Sequence, residues 1–283
     1  MQQTLFICLV ILAITAQNVL KKSYGDKTYG YGTYIFTGIV CIVASVFFAL
    51  TKEGPLNFSV EILPYSAGFA LGFAAIMVFS ILAFRCGSLA ITSLIISYSL
   101  MVPTVFGIIY FKEPTSWSLY VGVALLLVSL ALINREEGKV KVNVKWVIYA
   151  LLSFFGNGFC YVVMQLQEKS EYASQSNEFM IVALLMAAAL MIVMALIYEH
   201  KRAVMCLKKA YLPIICGAAN GLANYLTILL LGMMPASVMN PLTAAGGIVA
   251  TAAVSIFIYR EKLSVYQIVG VILGTASVVF LNL

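Results

Sequence analysis

Charge is the scarcest feature of this sequence. Of 283 residues, 17 are basic and 11 acidic, or 10% in all, where a soluble domain carries about 25%. Hydrophobic residues make up 63% and the mean hydropathy is +1.02. Water cannot be the solvent for so much apolar surface, which excludes a soluble enzyme or a nucleic-acid binder and leaves the bilayer. No long polar stretch is present, so no soluble domain is expected. The six cysteines (Cys8, Cys41, Cys86, Cys160, Cys206 and Cys216) include no CxxC or other metal spacing. Free cysteine inside a span behaves as a small hydrophobe, so they read as packing. The single histidine, His200, falls in a basic loop and reads as solvated. The first apolar run lacks a basic segment ahead of it, and Lys21-Lys22 follow it. It therefore reads as a retained helix rather than a signal peptide.

What is present is a series of apolar runs, near 3–20, 31–50, 62–84, 88–111, 116–134, 146–166, 177–198, 211–232, 236–258 and 265–283. A spanning helix takes about 20 apolar residues, and barrel strands would alternate apolar with polar. The pattern predicts an all-α integral membrane protein of ten spans. The weakest punctuation is Arg85-Cys86-Gly87, between spans 3 and 4.

The basic residues sort by loop. Loops after the odd spans hold 14 of the 17; Lys52, Lys112 and Lys169 follow even spans. Positive residues mark the cytoplasmic side, which places both termini outside. The net charge of +6 thus follows from topology and calls for no nucleic acid.

Residues 111–134 and 259–282 align without a gap at an offset of 148. The identities are Glu113/Glu261, Ser116/Ser264, Val121/Val269, Gly122/Gly270, Val123/Val271, Leu125/Leu273, Ser129/Ser277 and Asn134/Asn282. Upstream, Gly68-x-x-x-Gly72 corresponds to Gly217-x-x-x-Gly221. The chain divides into residues 1–134 and 146–283, five helices each, joined by 135–145. An odd number of helices per half inserts the halves in opposite senses, the inverted repeat of secondary transporters.

Two five-helix halves, each closing on an apolar-Lys/Arg-Glu turn and a Val-Gly-Val helix, resemble the drug/metabolite transporter superfamily, in its EamA-like ten-helix branch. The likeness covers essentially the whole chain. It implies a helical bundle with a central cavity that opens alternately to each side, and a solute among amino acids, sugars, nucleotide derivatives, cations and other small metabolites. Family members are often described with cytoplasmic termini, opposite to the charge count here. The small multidrug branch relies on a membrane-embedded carboxylate in its first helix; span 1 here offers Gln17 and Asn18.

By these boundaries no Asp, Glu, Lys, Arg or His lies at mid-span. That removes the usual proton relays and any candidate general base, so no enzyme and no metal or cofactor site is expected. The mid-span polar residues are neutral. The candidate substrate-binding set is Ser97, Tyr98, Asn157, Tyr161, Asn220, Asn224, Tyr225 and Thr243. Asn157/Tyr161 and Asn220/Asn224 are each spaced i, i+4, on one helix face. An asparagine in hydrocarbon needs a partner, either a neighbouring helix or a solute. Pro103 and Pro241 fall on corresponding helices and free backbone carbonyls there, so both are candidate hinges. Glu113 and Glu261 read as structural, with Ser264-x-x-Gln267 as a capping box.

The expected function is a secondary transporter of a small polar neutral or zwitterionic metabolite. Its partners are that solute and the lipid of a cell membrane, a bacterial inner or plasma membrane, and it would work as a monomer or homodimer. Two alternatives stay open: a carrier of quaternary-ammonium or aromatic cations using a tyrosine cage, and a membrane receptor or scaffold that transports nothing.

Overall fold

The computed structural model describes residues 2–52, 57–112, 117–133, 143–199, 208–231, 233 and 236–281. Glu113, Ser116, Asn134, His200, Cys206, Asn282 and the linker at 135–142 lie outside the described residues, as do the side chains of Asn240 and Pro241.

Among the described residues the chain is all helical. Its helices are α1 (Gln2–Lys27), α2 (Thr33–Thr51), α3 (Leu63–Cys86), α4 (Leu89–Ser97), α5 (Met101–Tyr110), α6 (Trp117–Ile133), α7 (Val144–Glu168), α8 (Ser176–Tyr198), α9 (Tyr211–Leu231), α10 (Ala236–Phe257) and α11 (Val265–Leu281). Six segments are long and apolar enough to cross a membrane: Gln2–Lys27, Thr33–Thr51, Val60–Cys86, Leu89–Tyr110, Val144–Glu168 and Ala173–Tyr198. Large apolar side chains cover the outside, among them Leu12, Leu50, Leu71, Trp117 and Ile197. Such a surface is stable against lipid and not against water.

The punctuation works locally as the residue types dictate. Ser88 caps α4 by accepting from the Ile91 amide at 3.5 Å, and Asn143 caps α7 by accepting from Lys145 at 3.1 Å. Ser264 and Gln267 form the expected capping box, at 3.0 and 3.3 Å. Lys112 and Arg260, equivalent by the offset of 148, both take a left-handed backbone, with φ of 54° and 52°. Left-handed φ is uncommon outside glycine, so its recurrence at both sites marks one turn used twice.

The first helix departs from the expected span. It runs on to Lys27, so Lys21 and Lys22 are helical and buried rather than in a loop. In the sequence the apolar run ends at its first charge, but the helix does not. Inside a bundle, a charged residue can stay helical wherever the packing gives its head group a partner or a cavity.

The helices pack in matched pairs. α1 lies along α9 as α3 lies along α7, and α2 runs beside both α8 and α9. α6 and α11 are antiparallel and linked reciprocally. Ser129 Oγ donates to the Gly270 carbonyl and Ser277 Oγ to the Gly122 carbonyl, both at 2.7 Å. These are two of the repeat identities, each answering the other across the seam. Both serines are fully buried.

The loops sort to two ends. Around Glu261 lie Lys22, Ser88 and Ser255, and this end also carries Glu199, which accepts from the Tyr34 and Ile35 amides at 3.3 and 3.0 Å. At the other end Lys52 pairs with Glu178, Gln175 donates to Ser59 at 2.7 Å, and the Lys169 ammonium sits 3.9 Å from the Phe111 ring centre.

Candidate functional site

Stripes from most of the helices converge on one central cavity of about 580 Å³. Helix α1 contributes Val10, Ile14, Gln17, Asn18 and Lys21, a single helical face. Helix α7 contributes Asn157, Tyr161 and Gln165, and α9 contributes Asn220, Asn224 and Thr227. Ser93 and Ser97 come from α4, Pro103 and Thr104 from α5, and Thr243 from α10. Phe69, Phe73, Ile76 and Met77 of α3 form an apolar wall.

The amides are linked to one another. Asn220 Nδ2 donates to Gln17 Oε1 at 3.0 Å, and Asn224 Nδ2 donates to the Asn220 carbonyl at 2.8 Å. Asn18 reaches Thr251 at 3.4 Å, and Asn157 Nδ2 donates to Ser99 Oγ at 2.6 Å. The Ser97 hydroxyl donates back to the Ser93 carbonyl at 2.9 Å. Gln165 Oε1 is buried on the wall with no hydrogen-bond partner among the described residues.

Six of the eight residues singled out in the sequence, Ser97, Asn157, Tyr161, Asn220, Asn224 and Thr243, therefore line one space. Tyr98 and Tyr225 do not. Tyr98 is buried between α4, α6 and α11 with its Oη 2.5 Å from Ser129 Oγ. Ser129 spends its one hydrogen on Gly270, so the tyrosine is the donor. Residues 97 and 98 point about 100° apart on a helix, and only one of them faces the cavity. Tyr225 meets Phe47 edge-on, with ring centres 6.2 Å apart. Of the three tyrosines that could cage a cation, only Tyr161 is on the cavity.

Pro103 and Pro241 also part company. α4 and α5 are separated by a 3₁₀ turn at Tyr98–Leu100, and Pro103 is the third residue of α5. Pro103 lacks the N–H that would hold the carbonyl four residues back, and the helical course tightens to 3₁₀ just ahead of it. By contrast α10 runs unbroken from Ala236 to Phe257. Pro241 sits near its start, where little helix precedes the missing bond.

Sequence reasoning missed Lys21. A basic residue does line the cavity, and it is 7% exposed. The helical stripe from Val10 through Gln17 was the signal that could have placed it.

The cavity ends differently in its two directions. Toward the Lys169 end its lining reaches the exposed Tyr161 and Glu168. Toward the Glu261 end it stops at Lys21 and Ser93. Beyond that level Glu261 ties three elements together. It pairs with Lys22 of α1, accepts from Ser88 Oγ at 2.8 Å and the Leu89 amide at 2.9 Å, and accepts from Ser255 Oγ of α10. Burial works to raise its pKa, but the hydrogen bonds from Lys22, Ser255 and Ser88 overcome that and hold the carboxyl below the usual range. It is therefore ionised at neutral pH. The carboxylate thus caps α4, not the helix that follows it in sequence. A shallow recess of about 390 Å³ lies outside this network and shares no lining residue with the cavity.

Residues 144–283 match the sequence profile described as the EamA-like transporter family. That match is consistent with the drug/metabolite transporter superfamily, and together with the apolar helices it indicates a multi-pass membrane protein. No functionally curated protein matches it in sequence. A crystal structure of another protein aligns over 99% of this chain and 96% of its own, with a TM-score of 0.68 and 15% identity. At that identity the likeness shows a shared fold. The EamA-like half carries Asn157, Tyr161, Asn220, Asn224 and Thr243; Gln17, Lys21 and Ser97 come from the other half.

Proposed function

We propose that this protein is a secondary transporter of a small polar organic metabolite, working by alternating access between two inverted five-helix repeats. The observation that carries the proposal is the central cavity, walled by amides and hydroxyls from both halves, reaching exposed residues at one end and stopped by the Glu261 network at the other. The reciprocal Ser129–Gly270 and Ser277–Gly122 bonds support the inverted arrangement, because only a two-fold relation makes equivalent residues answer each other between antiparallel helices. The left-handed Lys112 and Arg260 support it again.

The positive-inside bias makes the Glu261 end cytoplasmic, since Lys22, Lys27, Arg85, Lys145, Lys208, Lys209, Arg260 and Lys262 lie toward it. On this orientation the cavity faces outward, and the membrane is proposed to be a bacterial inner or plasma membrane. A cation cage draws little support with only Tyr161 on the cavity.

The test is counterflow in proteoliposomes, scanned over amino acids, organic acids, sugars, nucleosides and choline-like cations. Trans-stimulated uptake of at least one solute is expected. Folded protein that moves none of them contradicts transport and favours a receptor or scaffold.

A further inference from the structure

Buried charges in this fold have partners. Lys22 meets Glu261, Lys52 meets Glu178, and Glu199 accepts the first amides of α2. Lys21 differs. It is 7% exposed and lines the cavity, yet among the described residues no carboxylate and no hydrogen-bond acceptor engages its ammonium. It lies six residues before the end of α1 at Lys27, about 9 Å along the axis at 1.5 Å per residue. A buried ammonium without a counter-charge is costly, and a bound anion would supply that counter-charge.

The surroundings indicate the use. Gln17 lies one turn before Lys21 on the same face. Its carbonyl accepts from Asn220, which leaves its amide hydrogens as donors beside the ammonium. Glu168 is the carboxylate on the cavity lining, and it is exposed at the opposite end. The closed end of the cavity is thus positive and donor-rich, while Phe69, Phe73, Ile76 and Met77 form an apolar flank. One cation with neutral donors matches a single negative charge better than a phosphate dianion.

Resting on the transporter reading, we propose that Lys21 is the counter-ion for the carboxylate of the transported solute, and that the solute is a small monocarboxylic acid with an apolar body. Charge-assisted bonds are stronger than neutral ones. Loss of the ammonium therefore weakens carboxylate binding about tenfold or more.

The experiment uses the purified full chain, with phenylacetate, 3-phenylpropionate and their amides as probes of thermal stabilisation. The acids should stabilise the wild type and the amides should not. Lys21→Met should lose the effect of the acids, and Lys21→Arg should keep most of it. Without ligand, Lys21→Met should melt no lower than the wild type, because it removes an unpaired buried charge; a purely structural lysine would do the opposite. Equal stabilisation by acids and amides, no stabilisation by either, or unchanged acid binding in Lys21→Met overturns the assignment. Counterflow of an uncharged solute that is unaltered in Lys21→Met would overturn it while leaving transport intact. Absence of any flux in the wild type overturns the transporter reading instead.

Discussion

Ser129 shows how much one hydroxyl can hold. It donates to Gly270 and accepts from Tyr98, and it joins the 3₁₀ turn after α4 to α6 and α11 at a fully buried point. Replacing it with alanine leaves the buried Tyr98 hydroxyl without an acceptor, at about 1–3 kcal/mol, and also removes the second hydrogen bond of the Gly270 carbonyl, which keeps its helical one. Tyr98→Phe removes only one donor and leaves the Ser129–Gly270 bond in place, costing about 1 kcal/mol. Ser129→Ala should therefore lower the melting temperature in detergent more than Tyr98→Phe, and neither should change solute binding. A Tyr98→Phe variant that lost solute binding would return that residue to the site. The sequence held the Ser129/Ser277 and Gly122/Gly270 identities but not what joined them. A gapless repeat reveals which residues are equivalent; contact between equivalents requires the fold. Lys21 was illegible for the opposite reason, because charge at the edge of an apolar run looks like the end of a helix.

At the scale of the element, the small-residue spacings were legible and their partners were not. Gly68 and Gly72 face α7, where a Cβ on Gly72 would lie 2.8 Å from Cys160 Sγ and 3.0 Å from the Gly156 carbonyl. Gly156 answers from α7: its added Cβ would lie 3.0 Å from the Ile76 amide nitrogen and 3.1 Å from the Gly72 carbonyl. Backbone lies against backbone here, and it cannot step aside as a side chain can. Gly217 and Gly221, their sequence counterparts, instead face Val43 and Phe47 of α2. The equivalent glycines therefore serve different seams in the two halves. Gly156→Leu should destabilise the protein by about 1–3 kcal/mol or more through overpacking. Gly68→Ala, whose nearest neighbour is the Val163 Cγ2 at 3.3 Å, should cost less. Melting curves of the two variants decide it, and equal stability would show that α3 and α7 can part freely. The interruption between α4 and α5 was half legible: Pro103 was visible, but the unbroken course of α10 past Pro241 was not. The same residue type acts differently near a helix start and in its interior.

For the whole molecule, the scarcity of charge identified the solvent, and the placement of the few charges describes the device. One carboxylate, Glu261, holds α1, the start of α4 and α10 together at the basic end, and one cation, Lys21, stands just inside it. Transport by alternating access requires the Glu261 end to separate while the opposite end closes. Ser88 and Ser255 both donate to the same Glu261 oxygen from different elements, so cysteines at these two positions lie within reach of a short reducible thiol cross-linker. The decisive measurement is counterflow in proteoliposomes by a Ser88→Cys/Ser255→Cys variant before and after bridging, with the wild type treated alike to account for its own cysteines. The account predicts that bridging abolishes counterflow and that a reductant restores it. Undiminished counterflow with the bridge fully formed would contradict it.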